Sequence, residues 1–342
     1  MKYARLGNTG LVVSRLAMGS MTFTGGNSDF PAVFKVKAAL ADELVGAALD
    51  AGINFFDTAD VYAAGESESV LGAALKGRRN DVVLATKVGL RNGPRLTDAG
   101  LSRRHILRSV DQSLARLGTD WIDVYIVHCE DPHTPLEETL PTLDGLVRSG
   151  KVRYLGFSNW SAWKAAAALE FQAANGLAPF THGQLYYSLL GRDIERDFVP
   201  MSRRYGTGIT AWSPLAMGFL SGKYTRESLK DADNRYSGVD FLPFDKDMAF
   251  ALVERMRVIA KSHGATVAQV AIAWLLSREA VTSVLVGAAK RSQLDDNLKA
   301  VDVELSGAEL AELDAATPLA PVYPSWYTGI FADQPLAQAL GK

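Results

Sequence analysis

Short apolar runs alternate with amphipathic stretches along most of the chain. Ile53–Phe56, Val82–Ala85, Ile122–Val127, Val152–Phe157, His182–Leu185, Gly208–Trp212 and Val281–Val286 are rich in β-branched or aromatic residues and read as strands. Between them, Ile106, Val110 and Leu114 recur at i, i+4, i+8, the spacing of one helix face. Ala38–Asp50 and Pro135–Ser149 follow the same rule, and Pro135 suits a first helical turn, where its missing N–H needs no partner. Strand alternating with helix predicts a parallel sheet covered by helices.

Strand-end markers at Asp57, Lys87, His128, Phe157, Gln184 and Trp212 recur every 27 to 41 residues, about one strand–helix unit each. With Leu16–Gly19 as the first strand there are eight strands, which fits an α/β fold of the (β/α)8 TIM-barrel type better than an open sheet. Tyr3–Arg5 and Leu11–Val13 flank Gly7-Asn8-Thr9-Gly10, a β-hairpin signal placed to plug the barrel bottom. Thr22–Lys37, Ser213–Lys246 and the tail Pro318–Lys342 fall outside the repeat. Long loops after barrel strands lie on the C-terminal face, where active sites are built. The tail aromatics Tyr323, Trp326, Tyr327 and Phe331 have two readings, packing against the barrel or an apolar wall over the pocket. The expectation is one domain over residues 1–342, with the tail 318–342 as pocket lid.

Composition narrows the function classes. The 342 residues are 48% hydrophobic and 22% charged, which excludes disordered, collagen-like and coiled-coil chains. Lys plus Arg is 36 against 38 Asp plus Glu, so no basic excess exists to neutralise a phosphate backbone and no nucleic-acid partner is expected. The single cysteine, Cys129, forms no internal disulfide and no four-Cys zinc site, and it reads as a small buried hydrophobe in a cytoplasmic protein. His105, His133 and His182 lack metal-ligand spacing, so no metal is expected. Near the start, the longest apolar run, Leu11–Val13, is far shorter than a signal-peptide core of ~7–15 residues. No uncharged stretch approaches the ~18 residues that span a bilayer, and the apolar Val270–Leu276 suits a buried helix. A small-molecule partner and a monomer are the expectations.

Three successive strands end in polar residues. Ile-Asn-Phe-Phe ends at Asp57, Val-Val-Leu-Ala-Thr at Lys87, and Ile-Asp-Val-Tyr-Ile-Val at His128. Neighbouring strands lie roughly 4.8 Å apart, so these groups converge on one rim, and Tyr62 is near enough in sequence to fold over it. A lysine at a buried strand end needs a counter-charge, which Asp57 offers. An ammonium beside a phenol favours the phenolate and predicts a lowered Tyr62 pKa. Tyr62 then serves as general acid, with His128 orienting a substrate oxygen. Together they describe proton donation to a carbonyl oxygen. Gly206-Thr207-Gly208-Ile209-Thr210-Ala211 fits G-x-G-x-x-A, but a strand follows it where the dinucleotide fingerprint needs a helix.

With these residues in place, the chain resembles the aldo-keto reductases, a family of NADP(H)-dependent barrels. The likeness rests on Leu6–Ser20, Gly52–Tyr62, Thr86-Lys87, His128, Gly156–Trp160, Gln184–Ser188 and Trp212–Leu215. It implies a catalytic tetrad of Asp57, Tyr62, Lys87 and His128, with Tyr62 as acid/base, and NADP as cofactor, with NAD as a further candidate. Ser158, Asn159 and Gln184 would hydrogen-bond the nicotinamide carboxamide and Trp212 would stack on its ring. Gly19, Ser20 and Asp57 would border the cofactor. Ser213, Pro214, Leu215, Gly218, Leu220, Gly222 and Lys223 would follow the pyrophosphate. Gly287, Lys290, Arg291, Gln293 and Asn297 would hold the adenosine end, the two cations facing a 2′-phosphate. Substrate would meet Met21, Phe23, Tyr62, His128, Trp160, Tyr187, Phe219 and Trp326. The reaction implied is hydride transfer between nicotinamide C4 and an aldehyde or ketone. Two alternatives stand beside it, physiological oxidation of a sugar or secondary alcohol, and NADP(H) sensing by a regulatory binding protein.

Overall fold

The computed structural model describes residues 1–26, 33–230, 241–331 and 333–341. Eight parallel strands close into a barrel: β1 (Leu16–Gly19), β2 (Phe55–Asp57), β3 (Val83–Val88), β4 (Ile122–Val127), β5 (Val152–Ser158), β6 (Phe180–Tyr186), β7 (Gly208–Trp212) and β8 (Val281–Val286). Closure is the parallel pairing of β8 with β1, Val284 opposite Leu16. The expected strands at Leu16, Ile122, Gly208 and Val281 are observed with the expected bounds, while β3 and β6 run longer. Helices α1 (Ala38–Asp50), α2 (Glu66–Ala74), α3 (Arg103–Leu117), α4 (Leu136–Arg148), α5 (Ala162–Ala174) and α6 (Phe198–Tyr205) follow β1 to β6. Then α7 (Lys246–Ser262), α8 (Val267–Leu276), α9 (Arg291–Leu298) and α10 (Gly307–Ala316) complete the coat. Pro135 stands just outside α4, as its N-cap.

Two apolar layers explain why these runs form strands. Ala17, Phe55, Val83, Ala85, Val124, Ile126 and Leu285 fill the barrel interior. Tyr125 and Val127, alternating with Val124 and Ile126 on β4, instead join the layer under the helices. Both faces are covered, so β3 and β8 are buried at every position and show no polar alternation. On α3, Ile106 and Val110 face that layer, Ser102 caps the start by accepting from His105 N, and Gly118 at φ 65° ends it. The apolar α8 is buried over most of its length.

At the barrel bottom, Tyr3–Arg5 pairs antiparallel with Val12–Ser14, one residue later than the predicted second arm. Its Leu6 and Val13 join the interior cluster, so the hairpin plugs the N-terminal end. The functional groups are left to the other end. The long-loop expectations at Thr22–Lys37 and Ser213–Lys246 fall partly outside the described residues. In the described tail, α11 (Ser325–Ile330) and α12 (Gln334–Ala339) bury no residue. Among the described residues no helix is long and apolar enough to cross a membrane.

Candidate active site

Asp57 ends β2, in register with Gly19 of β1 and Ala85 of β3. Lys87 lies two residues beyond Ala85, at the same rim, and is fully buried. Its ammonium has three protons to donate. Asp57 Oδ1 accepts at 2.5 Å, Thr58 O at 2.7 Å and the Tyr62 hydroxyl at 3.3 Å. Burial works against the charge, but Asp57 and then Tyr62 outweigh it and hold the Lys87 pKa above its ordinary value. A buried ammonium persists here because it is paired on every side.

Tyr62 opens a short 3-10 turn, Tyr62–Gly65, in which Ala63 and Ala64 adopt φ of 47° and 53°. Gly65 follows at φ 92°, and a Cβ there would lie 2.8 Å from Arg116 Nε. That space lets Arg116 reach the buried Glu68 at 2.6 Å, and Glu68 also accepts from Thr86 at 2.6 Å. The turn carrying Tyr62 is thereby tied to α3 and β3. Its phenol departs from the sequence expectation. Burial pushes the Tyr62 pKa up, and the opposing pull of Lys87 does not reverse it. One ammonium already shared with Asp57 cannot repay the desolvation of a phenolate.

His128 follows β4, its backbone N–H donating to Val88 O at 2.8 Å. Its ring meets Tyr62 edge-on, 5.7 Å between centroids. Burial first, and Lys87 second, lower its pKa to about 3, so the imidazole is neutral. The tetrad side chains therefore comprise one ion pair, one protonated phenol and one neutral imidazole.

Across the mouth, Gln184 of β6 is buried, and its Nε2 donates to Asp57 Oδ2 at 2.8 Å. Asn159, at φ 55°, follows Ser158 at the end of β5. Its Nδ2 donates to His128 O at 3.1 Å and to Ser158 Oγ at 2.9 Å. The Trp212 indole N–H donates to Asn159 Oδ1 at 3.0 Å. Trp212 also packs on Tyr186, 5.1 Å between ring centroids. The residues expected at the nicotinamide are thus one connected wall facing the tetrad.

A family model described as "Aldo/keto reductase family" matches residues 15–318, a span that contains every one of these groups. The chain belongs to the aldo/keto reductase family. It is 39% identical to a rice protein described as "Probable voltage-gated potassium channel subunit beta", over 89% of this chain and 92% of that one. It is 35% identical to the "Versiconal hemiacetal acetate reductase" of Aspergillus parasiticus, over 92% and 96% of the two chains. It is also 35% identical to "Probable aldo-keto reductase 1" of soybean, Glycine max, over 93% and 89%. Members of the family are oxidoreductases that typically use nicotinamide cofactors.

The remaining expected cofactor residues lie at the end of β1, in the segments after β1, β7 and β8, and on α9. Ser213 (φ 53°) and Gly218 (φ 93°) turn the chain after β7, Pro214 and Leu220 are buried, and Gly222 ends the segment at φ 71°. Leu215 is half-buried, and Lys223 stacks its ammonium 4.8 Å from the Tyr224 ring. Gly287 follows β8, and Lys290 caps α9 on an exposed corner. Arg291 is held by Asp295 at 2.8 Å, Gln293 Oε1 accepts from Ala289 N at 2.8 Å, and Asn297 is buried. Ser20 Oγ is committed to Asp57 O and Ser67 Oγ, both at 3.0 Å, beside the half-buried Gly19.

The side chains expected at the substrate pack in different ways. Trp160 packs against Phe157 and Phe180 beneath the helices. Tyr187 meets Trp274 of α8, and its hydroxyl donates to Glu195 at 2.8 Å. Phe219 lies among Tyr224, Phe244 and Phe250, and Phe23 is fully buried. Each large ring buried in this way removes much apolar surface from water. Met21 stays half-buried. Trp326 is 48% exposed and meets its tail neighbours Tyr323 and Tyr327 edge-on. Cys129 is half-buried.

Sequence reasoning missed Thr58, whose backbone carbonyl takes one Lys87 proton. It also missed the buried carboxyls of Asp60 and Glu68 behind Tyr62. A carbonyl leaves no residue-type signal. Two acids beside a tyrosine match no periodic pattern. The G-x-G-x-x-A run is a helix-to-strand turn, with Gly206 ending α6 at φ 69° and Gly208 opening β7. Among the described residues no group of three His, Cys, Asp or Glu is placed to hold a metal ion.

Proposed function

We propose that this protein reduces aldehydes and ketones with NADPH, Tyr62 acting as general acid. The observation that carries the reading is the Lys87 ammonium bridging Asp57 and the Tyr62 hydroxyl at a buried rim. A phenol whose pKa is raised stays protonated at neutral pH and has a proton to give. As charge develops on a carbonyl oxygen, the phenol releases its proton, and the adjacent ammonium stabilises the phenolate left behind. His128, neutral, has one ring N–H with which to hold the same oxygen. Substrate then meets Tyr62, His128 and Met21.

The residues of the opposite wall fit a nicotinamide carboxamide. Gln184 has Oε1 left as an acceptor, because Nε2 is spent on Asp57. Ser158 accepts from Asn159 and so keeps its own proton to donate. One donor and one acceptor are the complement of a primary amide. When bound, the reduced ring supplies the hydride. The Lys290 ammonium makes no ion pair or hydrogen bond among the described residues and stands at the N-terminus of α9, which favours a 2′-phosphate and hence NADP over NAD. Ser213–Lys223, with Gly19, Ser20, Gly287, Gln293 and Asn297, would line the rest of that cofactor.

A second reading comes from the relatives described as potassium channel β subunits, namely a nicotinamide-binding regulator. Turnover decides between the two. Loss of 340 nm absorbance with NADPH and a panel of small aldehydes and ketones should occur with the wild type. Tyr62→Phe should lower the rate by roughly 10²–10⁴-fold, the usual size of an acid–base contribution, while NADPH still binds. NADPH binding without any turnover would favour the regulator. No binding of either cofactor would sink both.

A further inference from the structure

The Asp57 carboxylate is held from two sides. Lys87 takes Oδ1 at 2.5 Å, and Gln184, reaching from β6 across the barrel mouth, takes Oδ2 at 2.8 Å. Among the described residues no other side chain holds that carboxylate. An ionised carboxylate only accepts, so the Gln184 amide must present Nε2 to it and turn Oε1 away. Register fixes the residue itself, with Ser158 of β5 on one side and Thr210 of β7 on the other.

We propose that Gln184 is a positioning residue for the proton donor, acting through Asp57 and Lys87. Lys87 spends all three protons, and its contact with the Tyr62 hydroxyl, at 3.3 Å, is the longest of them. Any rotation of Asp57 carries the ammonium with it, and the longest contact is lost first. Gln184 blocks that rotation. Its free Oε1 faces the position where the proposed function places the carboxamide, and this much rests on that reading. A donor arriving at Oε1 polarises the amide and strengthens its N–H bond to Asp57. Occupancy of the cofactor site then tightens the acid on the far wall. Asn159 offers the contrast. Its amide holds a backbone carbonyl, a serine and an indole, and touches no tetrad side chain.

The test uses Gln184→Met, of similar length with no donor, and Gln184→Glu, which donates to Asp57 only when protonated. Thr210→Val is the comparator, beside Gln184 in register, isosteric and without a bond to Asp57. NADPH affinity is read by fluorescence, and turnover is read at saturating NADPH across pH. Gln184→Met should weaken NADPH binding, whereas Thr210→Val should leave it unchanged. Only Gln184→Met should also lose roughly ten-fold or more in the saturated rate, the scale of a lost hydrogen bond to a charged group. Gln184→Glu should gain rate as pH falls through the raised pKa of its carboxyl pair. In the cofactor-free protein its melting temperature should rise over the same pH range, relative to wild type. A saturated rate for Gln184→Met equal to wild type would overturn the proposal. So would a Gln184→Glu melting profile parallel to wild type. The melting experiment needs no cofactor, so it decides this inference even if NADPH does not bind and the proposed function fails.

Discussion

The two halves of the barrel mouth are built differently. On the side of β2, β3 and β4, Asp57, Lys87 and His128 stand on or immediately after strands, are nearly fully buried, and hold one another directly or through Tyr62. On the side of β7 and β8, the groups expected at the cofactor's phosphates stand on loops and a helix start, and Lys290, Arg291 and Gln293 are exposed. Strand ends offer fixed geometry at the cost of burying charge, whereas loops offer reach. Proton transfer needs the first and the grip on a long, charged ligand tolerates the second. Mutations should therefore separate by kind, with stability and rate moving on one side and affinity alone on the other.

The largest expected effect is on the buried side. Lys87→Met removes the charge that pairs Asp57 and leaves a carboxylate buried with only Gln184 to hold it. Breaking a buried pair this way costs about 3–5 kcal/mol. Urea unfolding should show that loss, and any turnover should fall with it. A variant as stable as wild type would mean that water reaches Asp57, and the contrast between the halves would go.

Next comes Asp60, two residues before Tyr62 and buried behind it. Its Oδ2 accepts from Asn92 Nδ2 at 2.8 Å, and its Oδ1 has no partner among the described residues. Burial, then the nearby Glu68, raise its pKa to about 7, against the weaker pull of Asn92, Arg116 and Lys87. The native state then binds more protons than the unfolded chain between about pH 4 and pH 7. Stability from this group is full below that window and is lost as pH rises through it. Asp60→Asn imitates the protonated form, so the stability of wild type minus that of the variant should fall by about 1.4 kcal/mol for each pH unit climbed within the window. Unfolding at a series of pH values would read it. A flat difference would place Asp60 in contact with solvent.

The same division governs what the sequence made legible. Strand positions and the tetrad follow from residue type and spacing, because a barrel repeats one unit and puts strand ends on one rim. The direction in which the Tyr62 pKa moves did not follow. It depends on how completely burial outweighs a shared ammonium, which is a property of packing and not of spacing. The packing of Trp160, Tyr187 and Phe219 was not legible for a related reason. An aromatic residue in the segment after a strand can turn inward to the mouth or outward to the helices, and the neighbours it meets, here Phe180, Trp274 and Phe250, are distant in sequence. Gln184 was legible as a wall residue, but its bond to Asp57 spans 127 positions and has no local signature.

The smallest expected effect tests the exposed half. Lys290 is solvated at the start of α9, so removing it leaves nothing buried unpaired, and Lys290→Ala should change stability by no more than about 0.5 kcal/mol. If it faces a 2′-phosphate, the variant should raise KM for NADPH by roughly ten-fold, the worth of about 1.4 kcal/mol, and leave kcat unchanged. NADH, which lacks that phosphate, should bind as before. Arg291 should matter less, because Asp295 already takes part of its charge. The contrast with Lys87 is the informative part. Both are single ammonium groups, yet one is expected to change folding and chemistry together and the other only the choice between two cofactors. Equal losses with NADPH and NADH would mean that Lys290 holds something common to both. A fall in kcat would mean that the loop half of the mouth reaches the reacting atoms after all.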